Sequence, residues 1–162
     1  MASYEFPFNE RIRTSLRLED LFSKVLLNIE SDQSSHHHNA MVLFFQILDI
    51  VDRTDLKAEL LQELDRQKAI MTSLIDNPKI NVEVLKPILE NILIVSAKLR
   101  GIYTRVGQPL RENEWLMAIR QRAIIPGGLC EFDLPAYHYW LDSPTEERRE
   151  DLKGWLDHVL PI

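Results

Sequence analysis

The stretch from Asn9 to Ile29 constrains the fold more than any other part of the sequence. Set out at roughly 100° per residue, its apolar side chains cover an arc of about 220°. They are Ile12, Leu16, Leu18, Leu21, Phe22, Val25, Leu26, Leu27 and Ile29. A helix that is apolar over most of its circumference usually packs against several neighbours. We therefore expect a central helix here, with Asn9 as its N-cap.

The rest of this helix is charged. Glu10, Arg13, Arg17, Asp20 and Lys24 fall within a wedge of about 80° on the same wheel. Such a wedge is typical of the solvent-facing edge of a core helix, and it can also form a binding surface. The residues alone leave both interpretations open.

Length and composition indicate one soluble domain, covering residues 1–162. The chain is 45% hydrophobic and 27% charged, which is ordinary for a globular protein. A net charge of −6 argues against general nucleic-acid binding and against a polybasic membrane surface. With a single cysteine no intramolecular disulfide can form, and no signal-peptide pattern is visible, so we expect a cytoplasmic protein.

Six further helices are predicted from apolar stripes at helical spacing. We expect them at residues 40–53, 54–76, 81–100, 112–122, 133–141 and 143–159. The predicted N-caps are Thr54, Asn81 and Asp133, and Ser143 is predicted to open a capping box with Glu146. Almost no alternating pattern occurs, so the predicted fold class is all-α, a compact bundle of six or seven helices. Residues 30–39, which include His36-His37-His38, are predicted to form a loop.

No pattern in the sequence is typical of a catalytic site, since the common nucleotide-binding, zinc-protease and hydrolase motifs are absent. Three adjacent histidines could bind a metal ion, but they cannot share one helical face, and a polar loop is the favoured interpretation. Cys130 and His138 could pair, although a thiol–histidine pair needs a third orienting group. We expect no enzymatic activity, no cofactor and no metal; the alternative is a cysteine- or metal-dependent helical enzyme.

Arginine is concentrated in one stretch of this acidic chain. Residues 98–122 hold six basic and two acidic side chains, a net charge of +4, whereas residues 123–162 have a net charge of −5. The planar guanidinium group of arginine is well suited to binding carboxylates. The local field of this stretch is therefore opposite in sign to the protein's average charge.

These arginines predict a basic groove if two helices are neighbours. Arg13 and Arg17 of the first helix would then converge with Arg120 and Arg122 of the helix at 112–122, and the groove could bind an acidic peptide. The alternative is a set of surface ion pairs with nearby acidic residues, each contributing roughly 0–1 kcal/mol.

A series of distinct short motifs is spread over nearly the whole chain. They are EFPFNERIRT at 5–14 followed by LR at 16–17, ELDRQ at 63–67, GQ and LRE between 107 and 112, RQR at 120–122, IPGG at 125–128, Cys130, FDLP at 132–135, His138 and WL at 140–141. In order and spacing they resemble the motifs of the ZapD family, bacterial cell-division proteins that associate with FtsZ.

The resemblance implies a non-enzymatic, cytosolic protein of the mid-cell division ring. Members form symmetric dimers and bind the acidic, partly apolar C-terminal tail of FtsZ through a basic surface. Two sites on one dimer can join neighbouring protofilaments and bundle them. By position, the tail-binding residues of the family include Arg13, Arg17 and His138 here. To these the basic stretch adds Arg111, Arg120 and Arg122 as predicted partner-binding residues.

Two features depart from the family pattern. Members carry a basic residue where this chain has Glu114, which implies a weaker or rearranged pocket. The family also continues into a further helix and a β-rich domain, so the chain corresponds to its N-terminal helical portion. Residues that the remaining portion contributes to dimerisation or tail binding are not in this sequence. We therefore expect bundling to be affected before the fold is.

Overall fold

The computed structural model describes residues 6–7, 9–53 and 55–159. All regular secondary structure in this part of the chain is helical, which confirms the all-α fold class. The helices are α1 (Glu10–Ile29), α2 (Ser34–Arg53), α3 (Leu56–Ser73), α4 (Val82–Arg100), α5 (Gln108–Arg111), α6 (Glu114–Ala123), α7 (Pro135–Leu141) and α8 (Thr145–Asp157). The single-turn α5 was not predicted. None of the eight helices has the length and apolar character needed to cross a membrane.

The centre of the fold is α2 rather than α1. Eight residues of α2 are buried, against four of α1, and α2 packs on α1, α7 and α8. The expectation that α1 is central is therefore wrong, because its apolar arc is wider than the face it buries. Leu27 is 74% exposed and Leu26 is 41% exposed. The predicted N-cap is confirmed, since the Asn9 side chain accepts a hydrogen bond from the Ile12 amide at 2.9 Å.

The second helix begins at Ser34, so the predicted loop over residues 30–39 is confirmed for residues 30–33 and wrong for residues 34–39. Ser34, Ser35 and His36 are exposed in the first turn and leave no apolar signal in the sequence. His37 is completely buried, and it lies one turn before Met41 on the buried face of α2. The helix therefore continues its buried stripe through a histidine.

Helix α3 has Asp55 as its N-cap, with the side chain accepting from the Ala58 amide at 3.3 Å. Thr54, the predicted cap, lies outside the described residues. Asn81 caps α4 as predicted, accepting from the Glu83 amide at 3.0 Å. The helix then runs through Pro87, so the proline does not delay its start.

The last two helices begin without side-chain caps. Ser143, predicted to open a capping box, donates its hydroxyl to the Trp140 carbonyl at 2.7 Å instead. Asp133, predicted to cap α7, lies in a turn and faces Arg122 at 3.8 Å. The proline at the start of α7 supplies a pre-set backbone angle in place of a cap.

A tight turn joins α6 to α7. Gly127 has a φ of 70°, a conformation that glycine adopts at no steric cost. A Cβ atom on Gly128 would collide with the Arg122 carbonyl oxygen. The IPGG motif therefore contains two positions where the backbone itself requires glycine.

Candidate functional site

A groove between α1 and α2 is lined by Arg17 and Arg53. Ile50 contributes an apolar surface to it, and Asp49 lies on the same wall as Arg53. The Arg17 side chain is 59% exposed and stands 3.6 Å from Glu10. Arg53 is exposed and forms no ion pair with any residue that the structure describes.

Arg13 lies one turn before Arg17 on the same face of α1. Its guanidinium is 3.5 Å from Glu10, the same carboxylate that faces Arg17. One glutamate therefore stands between two exposed arginines. Such exposed pairs contribute little to stability, so both arginines are available to a ligand.

Arg111 and Arg120 are held by two aspartates of α2. Arg120 Nη2 donates to Asp49 Oδ1 at 2.6 Å and to Asp52 Oδ2 at 2.7 Å. Arg111 Nε donates to Asp52 Oδ1 at 2.6 Å. Burial acts to raise the pKa of Asp52, but the hydrogen bonds from Arg120 and Arg111 outweigh it and hold that pKa below its usual range. Asp52 is thus a fixed anion.

Asp49 relates Arg17 of α1 to Arg120 of α6, because it lines the groove of Arg17 and accepts a hydrogen bond from Arg120 at 2.6 Å. Arg122, the other predicted partner on α6, does not share this carboxylate. Arg122 follows Arg120 by two residues and therefore points about 200° away around α6. It faces Asp133 at 3.8 Å.

A fifth arginine completes the cluster. Arg105 Nη2 donates to the backbone carbonyl of Asp52 at 2.8 Å, in the last turn of α2. We call the whole group the basic end of α2. It consists of Arg17, Arg53, Arg105, Arg111 and Arg120 around Asp49 and Asp52. Five guanidinium groups thus gather around two carboxylates in a chain whose net charge is −6, while Glu10, Asp20 and Glu59 also line the groove of Arg17.

His138 lies at the other end of α2. It lines a cavity with Ser34 and His38, and its Nε2 donates to the Leu129 carbonyl at 2.7 Å. His38 and Arg53 are 15 residues apart on α2. At about 1.5 Å of rise per residue, this places them about 22 Å apart. Within one chain, His138 and the basic end of α2 are separate sites.

Cys130 shares the cavity of His138 without forming a catalytic pair. Its thiol donates to the Gly127 carbonyl at 2.6 Å, while the protonated Nε2 of His138 is directed at Leu129. Among the described residues, no three histidine, cysteine, aspartate or glutamate side chains are grouped closely enough to hold a metal ion.

The three adjacent histidines have three different partners. His36 hydrogen bonds to the Ser31 hydroxyl, and His38 Nδ1 lies 2.8 Å from the buried Tyr137 hydroxyl. His37 Nδ1 accepts from Arg148 Nε at 2.8 Å. Its Nε2 must therefore carry the proton that is donated to the Ile29 carbonyl at 3.1 Å. Burial lowers the pKa of His37, in keeping with this neutral tautomer.

Arg148 is a buried arginine that has no carboxylate partner among the residues that the structure describes. Besides His37, its guanidinium donates to the carbonyls of Leu141 at 2.8 Å, of Ser143, and of Asp32 at 3.3 Å. The side chain is 5% exposed. Neutral acceptors thus bind a full positive charge between α8 and the α1–α2 loop. No signal in the sequence indicates this site, since its two side chains are 111 residues apart.

Arg53 and Arg105 carry no sequence signal beyond their charge. Arg53 ends the predicted second helix and Arg105 lies between the predicted helices at 81–100 and 112–122. Neither position indicates which helix will be its neighbour. Only the packing of α1 and α5 against α2 brings them beside Arg17 and Asp52.

Comparison with known proteins identifies the family. A family model described as ZapD, Cell division protein, matches residues 16–162. "Cell division protein ZapD" of Aromatoleum aromaticum is 51% identical over 162 residues, which are all of this chain and 63% of the relative. The proteins of the same name from Dechloromonas aromatica and Azoarcus sp. are also 51% identical, with 64% of each relative covered. The chain thus spans somewhat less than two thirds of the length of these curated relatives. This chain belongs to the ZapD family of cell division proteins.

Proposed function

We propose that this chain acts in bacterial cell division by binding the acidic C-terminal tail of FtsZ at the basic end of α2. As a dimer it crosslinks FtsZ protofilaments and bundles them, in the cytoplasm at the mid-cell division ring. The family membership supports the role in division. The observation that carries the binding site is the grouping of five arginines around Asp49 and Asp52 in a chain of net charge −6.

The arrangement of the arginines favours a carboxylate ligand. Arg111 and Arg120 are fixed by Asp52, so their guanidinium groups lose little freedom when a ligand arrives. Arg17 and Arg53 are exposed beside an apolar surface that includes Ile50. A peptide with acidic and apolar residues matches both properties.

The two outlying predicted residues take secondary roles in this proposal. Arg122 points away from the groove and binds Asp133, so we expect it to contribute least. His138 lies about 22 Å away along α2, a distance that an extended peptide of about seven residues spans. We propose it as a contact for a different segment of the tail.

Glu114 does not neutralise the proposed site through a direct pair. It is exposed in the first turn of α6, where a carboxylate interacts favourably with the helix dipole. It forms no ion pair with the residues that the structure describes. The departure from the family pattern therefore removes one cation at this position but leaves the other arginines in place.

The surface of α4 supports the dimer. The main helix contact of α4 is with α3, and Val84, Ile88 and Ile94 of α4 are 60%, 41% and 53% exposed. Val84 and Ile88 lie one turn apart on one face, and all three residues fall within an arc of about 120°. Glu83 stands at its start and Lys98 in its last turn, so two copies of α4 packed antiparallel would bring opposite charges together. This face is our proposed contact between copies.

Charge reversal on α1 tests the binding site. In fluorescence anisotropy with a labelled FtsZ tail peptide, R13E/R17E should lose binding, because both exposed cations become anions facing an acidic ligand. Lys24→Glu, on the same helix, is the matched control and should retain most of the affinity. Binding by the unsubstituted chain should also weaken as salt is raised.

An unchanged affinity of R13E/R17E, with an unchanged melting temperature, would contradict the site. Co-sedimentation with FtsZ polymers, together with the mass of the chain in solution, separates binding from crosslinking. A dimer that bundles supports the whole proposal, whereas a monomer that pellets without bundling supports tail binding alone.

A further inference from the structure

A second cleft opens on the far side of Arg53 from the groove of Arg17. It has a volume of about 540 Å³ and lies between the end of α2, the start of α3 and the loop before α5. Its apolar wall is formed by Val51, Leu56 and Val106, which are buried in the core. Arg53 lines both the cleft and the groove, so the two adjoin at this residue.

Three cations line this cleft without a carboxylate partner. Lys57 Nζ donates to the Ile102 carbonyl, and Arg105 Nη2 donates to the Asp52 carbonyl at 2.8 Å. Both are therefore held in position by neutral acceptors and keep their full charge. With Arg53 they form three cations that have no ion pair among residues 6–7, 9–53 and 55–159.

Of the two carboxylates of the cleft, Asp52 is already paired with other arginines and Asp55 is the cap of a helix. Asp52 accepts from Arg111 and Arg120, and Asp55 accepts from the Ala58 amide as the cap of α3. Neither is within ion-pair distance of the three cations. The cleft therefore presents three cations and one free carboxylate, that of Asp55, to a ligand.

Tyr103 stands at the edge of the same cleft and is 97% exposed. A fully exposed aromatic ring beside unpaired cations offers one apolar contact surface next to carboxylate-binding groups. Aromatic rings and arginines are the side chains most enriched in protein interfaces.

We infer that this cleft is a second docking site for an acidic peptide, with carboxylates on Arg53, Lys57 and Arg105 and an apolar side chain against Tyr103. The inference deepens the proposed function and rests on it, because a single tail that crosses Arg53 occupies both the groove and the cleft. The tail then follows the C-terminal end of α2 rather than its length.

Two substitutions test the cleft without disturbing the groove. In anisotropy titrations with the labelled tail peptide, Tyr103→Ser should weaken binding about 3- to 10-fold, within the range for removing an aromatic interface contact. Lys57→Glu should weaken it by at least about 10-fold, since it reverses a charge facing the ligand. The matched controls are Tyr139→Ser, an 81% exposed tyrosine on α7, and Lys68→Glu on the exposed face of α3.

The peptide can be varied as well. A tail peptide whose apolar residues are replaced by serine should bind the unsubstituted chain and Tyr103→Ser equally, because the contact that Tyr103 makes is then already lost. Circular dichroism melts of every variant distinguish loss of binding from loss of folding.

The outcomes separate the inference from the proposed function. If R13E/R17E loses binding while Tyr103→Ser and Lys57→Glu keep it, the groove stands and the cleft is overturned. If the cleft variants lose binding and their controls do not, the cleft is supported whatever R13E/R17E does. If none of these variants affects binding, both are overturned.

Discussion

Arginines lie at both ends of α2, and they differ in burial and in the acceptors that their guanidinium groups meet. At the N-terminal end, Arg148 is buried and its donors are taken up by His37 and backbone carbonyls. At the C-terminal end, Arg17 and Arg53 are exposed and only part of the surrounding charge is paired with Asp49 and Asp52. The same residue type thus holds the fold together at one end and is available to a partner at the other.

The difference lies in the acceptors. A buried guanidinium with every donor satisfied leaves nothing for a ligand to bind, and its removal strands the groups it served. An exposed guanidinium beside a fixed carboxylate keeps donors free and contributes little to stability. Burial and partner chemistry, rather than residue type, decide which arginine is structural.

The largest expected effect is on the free energy of unfolding, for a substitution at the N-terminal end of α2. Arg148→Met should lower the free energy of unfolding by about 3 kcal/mol or more, because His37 and several carbonyls lose their donors in a buried site. Arg17→Met should change it by no more than about 0.5 kcal/mol. Urea denaturation followed by circular dichroism measures both. Equal losses for the two variants would remove the contrast between the ends.

An intermediate effect is expected at Arg120, which is mostly buried and also pairs with Asp49 beside the groove. Arg120→Ala should cost about 1–3 kcal/mol of stability, since two charge-assisted hydrogen bonds are lost from a mostly buried side chain. It should also weaken tail-peptide binding, because Asp49 is left as an unpaired anion in the groove. Adding Asp49→Asn should restore part of the affinity.

The control for Arg120 is Arg122→Ala on the same helix, which should leave both stability and binding nearly unchanged. Unfolding curves and peptide anisotropy report the two properties separately. If Asp49→Asn gave no recovery in the Arg120→Ala background, repulsion by Asp49 would not be the cause of the weakened binding.

The smallest expected effect is the dependence of stability on pH. Burial lowers the pKa of His37 from 6.5, so below that pH the unfolded chain takes up a proton that the folded chain resists. The contribution of His37 is therefore complete above pH 6.5 and is lost as the pH falls through the window below it. One such group changes stability by at most about 1.4 kcal/mol per pH unit.

His37→Gln should flatten the pH profile of unfolding in the window below about pH 6.5, the ordinary histidine pKa. A residual slope should remain, because burial also lowers the pKa of His38. Replacing the exposed His158 by Gln is the control and should keep the slope of the unsubstituted chain. Parallel profiles for His37→Gln and the unsubstituted chain would contradict the buried neutral tautomer.

Local signals in the sequence were sufficient for features that depend on neighbouring residues. The caps Asn9 and Asn81 follow from hydrogen bonds within one turn of helix, and the all-α class follows from apolar spacing. The start of α2 was missed because a polar first turn has no apolar period, although its fourth residue, His37, is buried.

The candidate site could be predicted only in part because it depends on packing between distant segments. The charge pattern indicated Arg17 and Arg120, but not that Asp49 would lie between them, and Arg53 was not singled out at all. The placement of His138 at the opposite end of α2 depends on how α7 packs, which no local pattern encodes.

Asp52 has a consequence for how fast a bound tail would exchange. It is a fixed anion that binds Arg111 and Arg120, and it repels any carboxylate that enters the site. The attraction between a tail carboxylate and these arginines is therefore reduced by the charge of Asp52, so a single tail would dissociate quickly. A dimer that holds two such tails would keep filaments together while each contact turns over, giving bundles that persist and still remodel.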